Sequence, residues 1–141
     1  MNHKEHNDHK ARKHHEPVPD ETERAVREII GAAIEVHRQL GPGFIETVYR
    51  KAMLIELRHR SLRIEAEKSI QVHYRGELVC HHRLDIVVER AVVVEVKAVR
   101  KIRPIHHAQV LSYLKASRCR VGLLMNFNVS LFVDGLRRFV L

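Results

Sequence analysis

Residues 91–99 read Ala91-Val92-Val93-Val94-Glu95-Val96-Lys97-Ala98-Val99. The β-branched run favours a strand over a helix and is too apolar for a solvated loop. Side chains alternate across a strand, so Glu95 and Lys97 share one face with Ala91 and Val93, while Val92, Val94, Val96 and Ala98 share the other. A near-continuous apolar run marks a strand covered on both faces, central in its sheet rather than at an edge. A carboxylate and an ammonium placed there are expensive, because withdrawing an ion from water costs several kcal/mol even after relaxation. An exposed pair would return only about 0–1 kcal/mol. The stretch alone therefore leaves two readings: a structural ion pair at a strand end, or a carboxylate that binds a hard divalent cation.

The preceding segment carries His82-Arg83-Leu84-Asp85-Ile86-Val87, and Asp85 also sits among apolar residues. The short connection at Glu89-Arg90 makes this segment the antiparallel neighbour of the valine strand. Asp85 and Glu95 can then face each other across the hairpin, bringing two carboxylates and the Lys97 ammonium to one spot.

The remaining elements follow by period and punctuation. Asp20 or Thr22 can cap a helix whose apolar positions Val26, Ile29, Ile30, Ala33, Val36, His37 and Leu40 recur at helical spacing. Gly41-Pro42-Gly43 stops it. A second helix is expected from Phe44 to His59. Strands are predicted over Ile64–Tyr74, Leu78–Glu89 and Ala91–Val99, with Tyr74-Arg75-Gly76-Glu77 as the first turn. Pro104 suits the first turn of a helix over Arg103–Ala116. Val121–Phe127 reads as a buried strand, and a final strand or hairpin turns at Asp134-Gly135. The order is α-α-β-β-β-α-β-β.

With 141 residues, the chain is sized for one domain. Residues 1–20 have almost no apolar content, and they are expected to form a disordered His-rich tail ahead of a domain over 21–141. The tail histidines could hold a transition metal loosely, although a soluble segment without a role is the simpler reading. Lys and Arg total 25 against 17 Asp and Glu, a formal net charge of +8, which favours polyanionic partners such as nucleic acid. No apolar run is long enough to span a membrane, and no signal-peptide layout is visible. Cys80 and Cys119 form no C-x-x-C pair and are read as reduced thiols of a cytoplasmic protein. Cys80-His81-His82 lacks a second ligand pair, so strand and surface roles are assigned to it rather than zinc.

Asp85…Glu95-Val96-Lys97 resembles the signature of the PD-(D/E)XK nuclease superfamily. Gly43-Phe44-Ile45-Glu46-Thr47-Val48-Tyr49 is similar to the G-x-x-E-x-x-Y pattern of one bacterial and archaeal family within it. The likeness continues through Val36–Gly43, Pro104-Ile105-His106, Gln109–Leu114 and Asn126–Val129, and so covers about residues 22–141. Leu84 stands where the superfamily name has Pro. The resemblance implies an α/β, restriction-endonuclease-like fold, a mixed sheet flanked by helices. It also implies a metal-dependent nuclease, with DNA preferred to RNA, and it allows a homodimer. Asp85 and Glu95 would then hold Mg²⁺ or Mn²⁺, and Lys97 would orient a water or stabilise developing charge. The alternative is a non-catalytic nucleic-acid-binding or assembly module on the same fold.

Other residues carry two readings each. Glu46 opens the second helix, where a carboxylate stabilises the helix dipole by roughly 0.3–1 kcal/mol; the resemblance makes it a further metal ligand or a water-positioning catalytic group. Tyr49, one turn on, could bond Glu46 or a phosphate. His106, Gln109 and Tyr113 share a helix face and resemble the Q-x-x-x-Y element of RecB-type nucleases, with Gln109 catalytic and His106 and Tyr113 contacting nucleic acid. Otherwise they are the polar flank of a helix that buries Ile105, Ala108, Leu111 and Leu114. Arg100, Lys101 and Arg103 form a basic loop that suits backbone phosphates, or a plain solvated loop.

Overall fold

The valine strand is the middle of a five-stranded mixed sheet. The computed structural model describes residues 16–141. Most of the segment read as a His-rich tail, residues 1–15, lies outside the described residues. Residues 16–19 are already docked, since Val18 packs on the core and the Glu16 carbonyl accepts from Arg120.

The elements run α1 (Asp20–Leu40), α2 (Glu46–His59), β1 (Ile64–Tyr74), β2 (Glu77–Val88), β3 (Val92–Lys97), α3 (Pro104–Ser117), β4 (Val121–Asn126), a 3₁₀ turn (Phe132–Gly135) and β5 (Leu136–Val140). This is the α/β order expected from the sequence. The strands lie in chain order β1-β2-β3-β4-β5. Only β3 and β4 are parallel, and α3 makes the crossover between them. Helices cover both faces, which is why Val92, Val93, Val94 and Val96 are all fully buried.

On one face, α1 and α2 pack over Val92, Val94 and Val96. α1 buries Ala25, Val26, Ile29, Ala32, Ala33 and Val36, a stripe whose small residues allow close approach. Asp20, Glu21 and Glu23 in its first turn complement the helix dipole, and Gly41 ends it. On the other face, α3 lies over Val87, Val93 and Leu124 through Val110 and Leu114. It comes so close to β4 that a Cβ on Gly122 would stand 2.6 Å from Val110.

Two sequence expectations change here. The expected inner stripe of α3 is turned outward: Ile105 is 59% exposed and Leu111 36%, while Val110 and Leu114 are buried with His106, Gln109 and Tyr113 half-buried beside them. Of the expected stripe only Leu114 is inside. The Asp134-Gly135 signal belongs to the 3₁₀ turn, not to a hairpin loop. Gly135 is required because a Cβ there would meet the Asn126 carbonyl oxygen at 2.0 Å.

Candidate active site

β2 and β3 pair through their backbones at only three positions, Val88↔Val92, Val87↔Val93 and Ile86↔Val94. Beyond Ile86 the ladder is continued by side chains. The Val96 N–H donates to Asp85 Oδ2 at 2.9 Å, and the Asp85 N–H donates to Glu95 Oε1 at 3.2 Å. Each carboxylate thus occupies the place where the opposite strand would have continued. The strand alternation also slips here, because Leu84 and Val87 lie in the α3-side core while Ile86 and Val88 lie in the α1/α2-side core. Between the Ala66↔Ile86 and Lys68↔Leu84 pairs, where the β1–β2 register is interrupted, Glu67 of β1 takes φ +52°, a left-handed backbone that costs a non-glycine residue roughly 1–3 kcal/mol. Arg83 holds the Glu67 carboxylate at 2.6 Å. A local distortion of β1 and β2 therefore accompanies the turn of Asp85 toward β3, as bulges do at sites that re-aim a side chain.

Glu95 is 5% exposed. Burial, followed by the charge of Asp85, raises its pKa to about 8; Lys97 and the hydrogen bond with Asp85's backbone act in the opposite direction. Two carboxylates in one desolvated place resist simultaneous ionisation. Lys97, half-buried on the same strand face as Glu95, supplies the nearby positive charge.

α3 closes the site from the other side. Burial raises the Tyr113 phenol to about 12, and the Glu95 and Asp85 carboxylates add to the effect, placing the ring within their field. The Tyr113 ring stacks on His82, three residues before Asp85 on β2, with centroids 4.3 Å apart. His106 feels Lys97: its pKa is lowered by burial first and then by Lys97, Arg103 and His107. Its Nδ1 accepts the Arg103 N–H at 3.0 Å, which caps the start of α3. Gln109 lies between His106 and Tyr113 on this inward face.

The basic loop follows β3 immediately, running from Lys97 to the start of α3 at Pro104. Arg100, Lys101 and Arg103 are exposed, and with Val99 and His106 they line an open cleft of about 570 Å³. The loop is pinned at its root by Asn126, a buried amide at the end of β4. The Asn126 side chain accepts the Val99 N–H at 3.0 Å and donates to the Val99 carbonyl at 2.9 Å.

Tyr49 does not face this site. It is fully buried and stacks on Phe127 at 4.8 Å. Its hydroxyl donates to the Gly41 carbonyl at 2.6 Å and accepts the Phe44 N–H at 3.1 Å. Tyr49 thus clamps the Gly41-Pro42-Gly43 turn and has no group left for a phosphate. Glu46 is half-buried in the first turn of α2, in the layer over the opposite face of the sheet. Among the described residues, no group of three or more His, Cys, Asp or Glu side chains stands ready to hold a metal ion. The site is therefore built on two carboxylates, Asp85 and Glu95. This set fits a small hard dication that keeps most of its water, because such ions are bound through one or two carboxylates. His82 and Asn126 join the site from outside the expected set. The signal for Asn126 was a lone amide closing an apolar strand, and that for His82 was its spacing from Asp85.

A mixed α/β sheet with two opposed carboxylates and a lysine at the open end of its central strand defines a nuclease-like core. The family model of the PD-(D/E)XK nuclease superfamily matches residues 23–139, and the chain belongs to this superfamily. Nucleases of this superfamily generally use divalent metal ions. No curated protein and no solved structure gives a match. Among the described residues, no helix is long and apolar enough to cross a membrane.

Proposed function

We propose that this chain is a metal-dependent nuclease of the G-x-x-E-x-x-Y type that hydrolyses phosphodiester bonds, with DNA as the favoured substrate and Mg²⁺ or Mn²⁺ as the ion. The observation that carries the reading is the pair of hydrogen bonds, Asp85 N–H to the Glu95 carboxylate and Val96 N–H to the Asp85 carboxylate, where the β2–β3 ladder stops. Side chains replace backbone pairing there only at the cost of two crowded carboxylates, an arrangement that a dication relieves.

Asp85 and Glu95 would hold the ion. When bound, the ion polarises the scissile phosphate and acidifies a coordinated water. Lys97 orients that water or stabilises the charge developing on the phosphate. Gln109 and Tyr113, facing inward from α3, position the scissile group. His106 and the cations Arg100, Lys101 and Arg103 take the flanking phosphates, which supply affinity without sequence information. Glu46 is assigned to the site only as a group recruited from α2 once substrate and ion are present.

The test is a cleavage screen over single-stranded, duplex, flapped and RNA substrates with and without Mg²⁺ or Mn²⁺. The wild-type protein is expected to cut at least one substrate only with the ion, and Glu95→Ala to abolish cutting. The two-carboxylate site, which lacks a third ligand among the described residues, also suits a binding module that does not cut. Salt-sensitive binding with no cleavage under any condition would favour that second reading.

A further inference from the structure

The β1–β2 hairpin outruns the rest of the sheet. Its strands pair from Ile64↔Val88 out to Tyr74↔Glu77, while β3 pairs only with Ile86–Val88. The outer part of the hairpin is therefore an arm without a third strand. Between this arm and α3 lies a groove of about 460 Å³, within the roughly 300–1,000 Å³ range of small-ligand sites. Ile70, Gln71, His73 and His82 line it from the arm, and Tyr113 and Lys115 from the helix. Its inner end is the His82–Tyr113 stack. Tyr113 is shared between the groove and the carboxylate site.

Resting on the nuclease reading, we propose that this groove receives an unpaired nucleotide next to the scissile phosphate, so that the substrate carries single-stranded nucleic acid at the cut. Three features of the groove and one of the duplex converge on such an occupant. Aromatic faces at the inner end offer the stacking that any base accepts. Gln71 and Ser112 bring the mixed donors and acceptors that a base edge needs. Lys115 is exposed at the rim, where a backbone phosphate would lie. Finally, a base inside a duplex is stacked on both sides and cannot enter such a groove without being extruded, whereas an unpaired one can.

The experiment measures equilibrium binding by fluorescence anisotropy with Ca²⁺ in place of the catalytic ion. The probes are a short single-stranded deoxyoligonucleotide containing 2-aminopurine and a blunt duplex of the same sequence. Ala116, exposed on α3 at the groove, is changed to Trp to fill it, and His82 to Ala to remove the stack. Each variant is expected to weaken single-strand binding at least about fivefold, the lower end of what base–aromatic stacking supplies, and to leave duplex binding within about twofold. Quenching of 2-aminopurine should be lost in parallel. Equal losses on both probes, or no loss on the single strand, would overturn the proposal; thermal melting of Ala116→Trp distinguishes a filled groove from a failed fold. If no form ever cleaves but the single-strand effect persists, the nuclease reading falls and the groove stands. If a single-stranded substrate is cut equally by wild type and Ala116→Trp, the groove falls and the nuclease reading stands.

Discussion

The two faces of the sheet are built for different purposes. On the α1/α2 face, nineteen buried residues form one apolar cluster, with aliphatic side chains from both helices and three strands. On the α3 face, only eight buried residues do so, and the rest of the space is given to Glu95, Lys97, His82, Tyr113 and an open groove. Both faces meet at the same strand, β3, whose even positions serve the first and whose odd positions serve the second. The difference teaches that a desolvated carboxylate is tolerated on one side because the other side carries the apolar burial. Hydrophobic area is the dominant favourable term in folding, and here it is unevenly distributed.

The comparison is tested most severely by activity. Asp85→Ala and Glu95→Ala are expected to lower metal-dependent cleavage by at least about 100-fold, as loss of transition-state charge stabilisation does, while melting curves stay cooperative. Comparable cleavage in either variant would assign the α3 face a purely structural role. The next largest effect lies in stability. Leu57→Ala on the α1/α2 face is expected to cost about 3–5 kcal/mol in urea unfolding, and Leu114→Ala on the thinner α3 face about 2–3 kcal/mol, because fewer buried neighbours surround the cavity. A reversed order would show that the α3 face is the tighter one.

A third test uses pH. The folded pKa of Glu95 is raised to about 8, so the folded state binds this proton more tightly than the unfolded chain does. The sign follows: its contribution to stability is complete below the ordinary glutamate range and is lost as pH rises through about 8. Without metal, stability is expected to fall by a few kcal/mol across that window, at about 1.4 kcal/mol per pKa unit, and Glu95→Gln should flatten the slope. The smallest effect is reserved for Tyr49→Phe. Loss of its two hydroxyl bonds should cost about 1 kcal/mol and leave nucleic-acid affinity unchanged. A selective loss of affinity would return Tyr49 to the interface.

Much of this fold was readable because its signals are local. The Ala91–Val99 run announced a central strand, Gly41-Pro42-Gly43 a helix end, and the short Glu89-Arg90 link the pairing that sets Asp85 against Glu95. α3 turns differently from its expected stripe because it is apolar on two sides. Ile105, Ala108 and Leu111 make a tidier stripe than the true inner face, which mixes Val110 and Leu114 with His106, Gln109 and Tyr113. Polar residues belong inside there because the site is inside, and periodicity alone cannot know that. Tyr49 lies inside for a related reason: a tyrosine beside a glutamate in a motif suggests a surface role, whereas stacking on Phe127, 78 positions later in the chain, is a tertiary fact. The slip of alternation at Asp85 and the clamp by Asn126 depend on neighbouring strands and leave no trace in spacing.

The cap on α3 also restricts what His106 can do. With Nδ1 committed as an acceptor from the Arg103 N–H, the single hydrogen of the neutral ring resides on Nε2. That nitrogen can only offer a hydrogen, to a phosphate oxygen for example, and cannot remove one from a water. His106 is thereby excluded as general base, so the proton released by an attacking water must leave by another route.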